Sequence, residues 1–317
     1  MNVSVKTRSN FFLLLTAMIW GFAFIAQLES AGRIGTLGYN AVRYLLGSVS
    51  LLPIVFLLER KKGGPGVRHD LRIGVACGVL LCLATNLQQE GITLMHSAGK
   101  AAFITGFYTV LVPIGALLVW KKKTGWNAWL GALLALAGLG LLCLPGSEGI
   151  QGKDGWTGMA LVVSATFLWA SHILLVSRLS GDLGPITFSA FQFALCGLLS
   201  LLGSALLERV GPVAFWDQIV AAKYPILYGG LLSVGVAYTC QVVGQRGANP
   251  TAAAILLSTE AVFGALGEVV YYRWIAPDPA FRPMSAAGWA GCAVLFLGIL
   301  CSQISPASLF KRKDDNA

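Results

Sequence analysis

The chain of 317 residues is 56% hydrophobic and only 12% charged, with a formal net charge of +9. Soluble domains carry about 25% charged residues, so a water-soluble fold is excluded as a reading. The basic excess does not point to nucleic acid, because Lys and Arg stand at the ends of apolar runs, as in Arg60-Lys61-Lys62, Lys121-Lys122-Lys123 and Lys311-Arg312-Lys313, where they suit a membrane surface.

Ten apolar runs are long enough to span a bilayer, which needs about 20 mostly apolar residues. They are 10–28, 37–58, 71–93, 98–120, 126–144, 158–176, 185–207, 225–245, 250–271 and 286–304. The first continues through Trp20 to Leu28, past the length of a signal-peptide core, and reads as a retained span. Each run is too long, and too free of strict alternation, for a barrel strand. The expectation is an all-α polytopic membrane protein. The joints are short and marked by Gly63-Gly64-Pro65-Gly66, Pro145-Gly146, Gly184-Pro185, Asn249-Pro250 and Pro277-Asp278-Pro279. No joint has room for a soluble domain, so any ligand site lies among the helices. The Lys and Arg bias, clear in the first half and absent in the second, places both termini in the cytoplasm.

An internal repeat lies at an offset of about 150 residues. Ile19-Trp20-Gly21 matches Leu168-Trp169-Ala170, and Val42-Arg43-Tyr44-Leu45-Leu46 matches Phe191-Gln192-Phe193-Ala194-Leu195. Gly99-Lys100-Ala101-Ala102-Phe103-Ile104 matches Pro250-Thr251-Ala252-Ala253-Ala254-Ile255. Five spans per half is an odd number, so the second copy enters from the opposite side. The expected organisation is ten transmembrane helices as two inverted five-helix repeats, 1–149 and 150–317, an architecture secondary transporters use for alternating access.

The residues also carry a family resemblance. Ile19-Trp20-Gly21-Phe22, Asn40-Ala41-Val42-Arg43-Tyr44-Leu45-Leu46-Gly47 and Gln88-Gln89-Glu90-Gly91-Ile92 belong to the pattern. So do Ala98–Pro113 as one stretch, Ala237-Tyr238-Thr239-Cys240-Gln241 and Ala253–Phe263. Together they resemble the EamA family of the drug/metabolite transporter superfamily. The resemblance implies ten spans, cytoplasmic termini and carriage of amino acids or other small metabolites, often outward. It also implies a central cavity lined by the first, third, fourth, sixth, eighth and ninth helices. Two departures stand out. Ala261 replaces the usual proline after the ninth-helix glutamate, and Gly267-Glu268 arrives early in that helix.

Charge inside a membrane is costly, about 2.5–3.5 kcal/mol per residue on insertion scales, so the intramembrane charges are the first candidates. No aspartate falls within a run; Glu260 and Glu268 lie in the ninth, Glu90 in the outer turns of the third, and Arg43 two turns into the second. Glu260 reads as a proton-coupling or cation-binding carboxylate, or as half of a structural pair with Arg43. Arg43 reads as an anion holder or as a lock between helices. Gln88 and Gln89 in the third run, and Gln241 and Gln245 in the eighth, are solute contacts or interhelical glue. Trp20 and Trp169, at matching mid-helix places, are cavity walls or core packing, and Tyr108 and Tyr238 are candidates of the same kind. His172 is a titrating group or a satisfied core histidine.

No metal site or cofactor is expected: the seven cysteines lie scattered in apolar runs without metal or redox spacing. The absence of a phosphate-binding loop, a His-Glu-x-x-His pair, an intraspan aspartate and a Gly-x-Ser-x-Gly elbow argues against ATP drive, intramembrane proteolysis and serine hydrolysis. The reading is therefore non-enzymatic. It is a secondary transporter or facilitator of a small polar metabolite in the inner cell membrane, with Glu260 sensing protons. The expected partners are the solute, the lipid bilayer and protons, with a homodimer left open and no nucleic acid. The alternative is a non-transporting membrane scaffold, whose interior would be dry.

Overall fold

In hydrocarbon a backbone amide has no water to bond, so an apolar chain satisfies its amides within itself as helix. The computed structural model describes residues 3–59, 66–121, 125–142, 152–179, 184–277 and 285–303, and these are helical nearly throughout, with no strand among them. The runs Arg60-Lys61-Lys62 and Lys311-Arg312-Lys313, residues Lys122 and Lys123, and the boundary between 149 and 150 lie outside the described residues. Helices α1 (Val3–Ser30), α2 (Thr36–Ile54) and α3 (Gly66–Met95) are followed by the pair α4 (Ala98–Thr105) and α5 (Tyr108–Trp120), then α6 (Trp126–Leu142). Helices α7 (Gly152–Leu179) and α8 (Pro185–Gly203) begin the second half. A surface helix α9 (Pro212–Ala221) comes next, then α10 (Lys223–Leu227), which runs on through wide π-type turns into α11 (Thr239–Gln245). The pair α12 (Pro250–Leu257) and α13 (Glu260–Val270) precedes α14 (Ala286–Gln303).

Among the described residues, seven helical stretches are long and apolar enough to cross a membrane: Val5–Ser30, Thr36–Leu57, Ala98–Val119, Asp154–Ser177, Pro185–Glu208, Lys223–Gln245 and Pro250–Ile275. Helices α3, α6 and α14 occupy the other three apolar runs. The outward faces carry Phe11, Leu57, Leu83, Leu118, Leu133, Phe167, Leu198 and Leu207, all exposed. An apolar surface this extensive suits lipid, not water. Helix α9 is new relative to the sequence, which placed only a joint there. Val213 and Trp216 are exposed on it while Phe215 and Ile219 pack on Ile34, Tyr39 and Ile226.

Helices α2 and α8 run antiparallel and close each other's ends. The Glu59 carboxylate, in the wide turn after α2, accepts from the Ile186 and Thr187 amides at the start of α8 (3.1 and 2.8 Å) and from Thr187 Oγ1 (2.6 Å). Glu208, in the wide turn after α8, accepts from the Leu37 and Gly38 amides at the start of α2 (2.8 and 3.1 Å) and from Ser204 Oγ (2.6 Å). The leading amides of a helix have no partner within it and present the positive end of its dipole, so a carboxylate from a neighbour satisfies both needs. Glu208→Ala is expected to lower stability by about 1–2 kcal/mol, the usual cost of losing a helix cap. Thermal unfolding in detergent checks this: an unchanged midpoint would mean that water replaces the carboxylate at no cost.

Small residues set the spacing of the other helices. A methyl group on Gly78 of α3 would lie 2.9 Å from the Gln192 carbonyl oxygen and 3.0 Å from Leu195 Cβ, so the Gly74-x-x-x-Gly78 pair brings α3 against α8. On α1, a methyl at Gly21 would lie 2.5 Å from Phe263 Cβ and 2.7 Å from the Glu260 carbonyl oxygen. The start of α13 is therefore pressed directly onto α1.

Candidate functional site

The fourth and ninth apolar runs, read as continuous spans, are both interrupted at their centres. After α4 the amide of Phe107 bonds the Ile104 carbonyl (3.1 Å), Thr109 bonds Gly106 (3.1 Å) and Val110 bonds Phe107 (3.0 Å), all three-residue turns. After α12, Thr259 bonds Leu256 (3.2 Å), Ala261 bonds Ser258 (3.2 Å) and Val262 bonds Thr259 (3.0 Å). The two patterns match residue for residue, in a register that pairs Ala98 with Pro250, one residue from the pairing drawn from sequence. The causes are local. Gly106 is a weak helix former, Pro113 leaves the Thr109 carbonyl without its amide donor, and the hydroxyls of Ser258 and Thr259 bond back to the Ile255 and Leu256 carbonyls (2.8 and 2.7 Å). The caps match as well: Ser97 Oγ accepts from the Lys100 amide at 3.3 Å and Asn249 Oδ1 from the Ala252 amide at 2.7 Å.

These breaks put Tyr108 at the head of α5 and Glu260 at the head of α13. Tyr108 Oη donates to Glu260 Oε1 at 3.0 Å across 152 residues of chain. Glu260 is thus at a helix start rather than mid-helix. Its carboxylate lies in the first turn of α13, where the dipole favours negative charge.

At the breaks lies a cavity that, with the open solvent it adjoins, encloses about 460 Å³ of empty space. Of the residues singled out from sequence, Trp20, Arg43, Gln88, Tyr108, Trp169, Tyr238, Gln241 and Glu260 all line it. Gln89 does not. It is buried one residue further round α3, where its amide donates to the Gln27 carbonyl oxygen (3.0 Å) and Ser30 Oγ (3.3 Å). Sequence reading missed Gln27, Thr105 and Ser233 in the wall. Gln27 carried the same signal as the other glutamines, an amide inside an apolar run. Thr105 and Ser233 carried none, since such hydroxyls are common in spans.

The wall is aromatic. Trp20 meets Tyr238 edge-on with ring centres 4.6 Å apart, and Trp169 stacks on Tyr238 at 6.1 Å. Their polar edges are tied down. Trp169 Nε1 donates to Gln88 Oε1 (2.6 Å), Trp20 Nε1 to the Ser233 carbonyl (3.2 Å), and Tyr44 and Tyr238 share a bond between hydroxyls (2.9 Å). Such locked rings form rigid, preshaped surfaces. Gln241 adds a carbonyl oxygen that is buried and has no hydrogen-bond partner.

A guanidinium and a carboxyl group face this space. Arg43 is 3% exposed; its Nε donates to Asn40 Oδ1 (2.7 Å), its Nη2 to Thr85 Oγ1 (2.6 Å), and its plane lies over Tyr39 and Tyr44. Glu260 is also 3% exposed. They are not paired with each other: the hydrogen bonds of Arg43 run to Asn40 and Thr85, and that of Glu260 to Tyr108. Helix α2, which the resemblance leaves out of the lining, therefore contributes to the cavity through Arg43. No group of three or more His, Cys, Asp or Glu side chains converges as a metal site among the described residues.

A lipid-facing helical bundle around a polar, charged cavity defines a multi-pass membrane transporter. The chain belongs to the EamA-like transporter family, whose model matches residues 7–144 and 156–303, and so falls in the drug/metabolite type. Relatives include an uncharacterized transporter of Archaeoglobus fulgidus, 26% identical over 83% of this chain and 88% of its own length. Another is the inner membrane protein YtfF of Escherichia coli, 24% identical over 91% of this chain and 92% of its own. A crystal structure 17% identical in sequence superposes with a TM-score of 0.70 over 97% of this chain and 99% of that one; at that identity it bears on the fold alone.

Proposed function

We propose that the protein is a secondary transporter of a small zwitterionic metabolite such as an amino acid, carried outward across the inner membrane. Ten spans in two inverted halves, 1–149 and 150–317, rock about the cavity, with both termini cytoplasmic. The observation that carries this reading is the pair Arg43 and Glu260. A guanidinium and a carboxyl group, both buried and not paired with each other, face one aromatic-walled space. Leaving a charge buried without a counter-charge is costly, and a solute bearing both an ammonium and a carboxylate would satisfy the two at once. Gln88 and Gln241 would contact its polar atoms, Trp20, Trp169 and Tyr238 its apolar part, and Glu260 would exchange protons as the solute leaves. The matched breaks and the reciprocal glutamate caps support the inverted arrangement.

The scaffold alternative requires a dry centre with its polar groups mutually paired. The cavity and the unpartnered Gln241 oxygen weigh against it. Counterflow in proteoliposomes tests the proposal. Accumulation of labelled neutral amino acids, with their decarboxylated or N-acylated analogues moving poorly, is the expected result. Folded protein that moves none of a broad panel of zwitterions would overturn it.

A further inference from the structure

The cavity occupies the half of the bundle toward the C-terminal end of α1. The opposite half, toward the N-terminus of α1, holds a second set of polar side chains that the site above does not use. His172 on α7, Ser189 and Gln192 on α8 and Gln245 on α11 are each fully buried, at 0, 0, 0 and 2% exposure. His172 Nε2 shares a bond with Gln192 Oε1 (2.9 Å), and Gln245 Nε2 donates to the Ile173 carbonyl (3.4 Å). Four atoms are left over. His172 Nδ1, Ser189 Oγ, Gln192 Nε2 and Gln245 Oε1 are buried with no hydrogen-bond partner in the protein.

Buried polar atoms are nearly always paired, and one left unpaired costs about 1–3 kcal/mol. Four on three neighbouring helices is a concentration that a closed apolar core does not tolerate. The set begins where the cavity wall ends. His172 adjoins Ile173, and Gln245 lies one turn along α11 from Gln241; Ile173 and Gln241 are both wall residues. Around it, on α3, α7, α8 and α11, Cys77, Val176, Phe188 and Val242 pack into a small apolar plug, and a methyl on Gly244 would lie 2.8 Å from Leu13 of α1. Gln192 and Arg43 hold matching places in α8 and α2, which run antiparallel. The α8 residue therefore serves the opposite half of the bundle from the α2 residue.

We infer that His172, Ser189, Gln192 and Gln245 line a second limb of the solute path, which fills with water when the bundle opens toward the N-terminal end of α1 and is closed here by the plug. The inference rests on the transporter reading. The limb is uncharged: two amides, an imidazole and a hydroxyl offer hydrogen bonds to water and to a passing polar solute without trapping it, as release requires. Polar atoms that find partners only in the other state are what a two-state path leaves behind when it closes.

Native Cys77, fully buried in the plug, and an introduced Ser189→Cys report on the opening. A membrane-impermeant thiol reagent is applied to inverted or right-side-out vesicles, and the labelled peptides are separated by mass spectrometry so that each cysteine is read singly. Both positions are expected to label from the face that carries the N-terminus of α1 and from that face alone, at rates that change severalfold when transported solute is added. The wild-type Cys77 reading stands even where Ser189→Cys folds poorly. Absence of label at both sites, in protein whose flux is intact, would overturn the inference and make these atoms hosts of fixed structural water. Label at both sites without flux of any solute would support the opening and sink the transport reading. In flux, Gln192→Leu is expected to slow turnover severalfold while solute affinity at the cavity, read by Trp fluorescence, holds. A fall in affinity with unchanged turnover would place Gln192 at the cavity instead.

Discussion

Replacing Glu260 with glutamine is expected to abolish the part of solute flux that an imposed pH gradient drives, with the protein still folded. The substitution keeps the shape and leaves an amide oxygen to accept from Tyr108 Oη, the bond now 3.0 Å long, so the start of α13 stays docked on Gly21 of α1. What is lost is the ionisable carboxyl group at the break. A charge-assisted hydrogen bond to an ammonium contributes about 1.5–3 kcal/mol, so affinity should fall by roughly 10–150-fold. Flux in proteoliposomes with and without a pH step separates the two effects. If E260Q moved solute with the same response to pH as the parent, Glu260 would be a structural carboxylate and coupling would have to reside elsewhere.

Arg43 should show a different signature. Arg43→Gln removes the positive charge while retaining an amide that reaches toward Asn40 and Thr85. Solutes with a carboxylate are expected to lose affinity roughly tenfold or more, while analogues lacking the carboxylate lose little. Arg43→Lys should fall between, since an ammonium keeps the charge but not the fixed pair of bonds to Asn40 and Thr85 (2.7 and 2.6 Å) or the planar stacking on Tyr39 and Tyr44. Competition between a zwitterion and its amide in counterflow is the measurement. A uniform loss across all solutes, together with a large drop in unfolding temperature, would make Arg43 a lock between α2 and α3 and remove it from recognition.

Much of this fold was legible because the solvent is lipid. Ten apolar runs and the breakers between them placed the helices, and the rule that an intramembrane charge or amide must have a purpose picked out Glu260, Arg43, Gln88 and Gln241 before any geometry. The same rule could not say which way a side chain turns. Gln88 and Gln89 are neighbours in sequence, yet a rotation of about 100° per residue sends one into the cavity and the other onto Gln27. The breaks at Gly106 and at Ser258-Thr259 were hidden because a glycine and two hydroxyl residues barely lower the hydropathy of a run. Their effect lies in backbone bonding, which composition does not record. Arg43 stands on a helix that the resemblance leaves out of the lining, and its close packing involves Gly229 and Gly230, far along the chain, where an added methyl would lie 3.2 Å from Arg43 Cδ and 3.0 Å from the Arg43 carbonyl oxygen. Glu59 and Glu208 carry no signal in the sequence, since nothing local reveals a partner 127 to 171 residues distant.

That distance bears on how the chain is made. Leu37 and Gly38 leave the ribosome some 170 residues ahead of the glutamate that accepts their amide protons. The leading end of α2 is therefore without its carboxylate partner until the chain has been translated as far as Glu208. The start of α8 meets no such delay, because Glu59 is already in place when Ile186 and Thr187 emerge. Biogenesis is thus lopsided where the finished molecule is balanced: one clasp fastens during synthesis, and the other only after Glu208 has arrived.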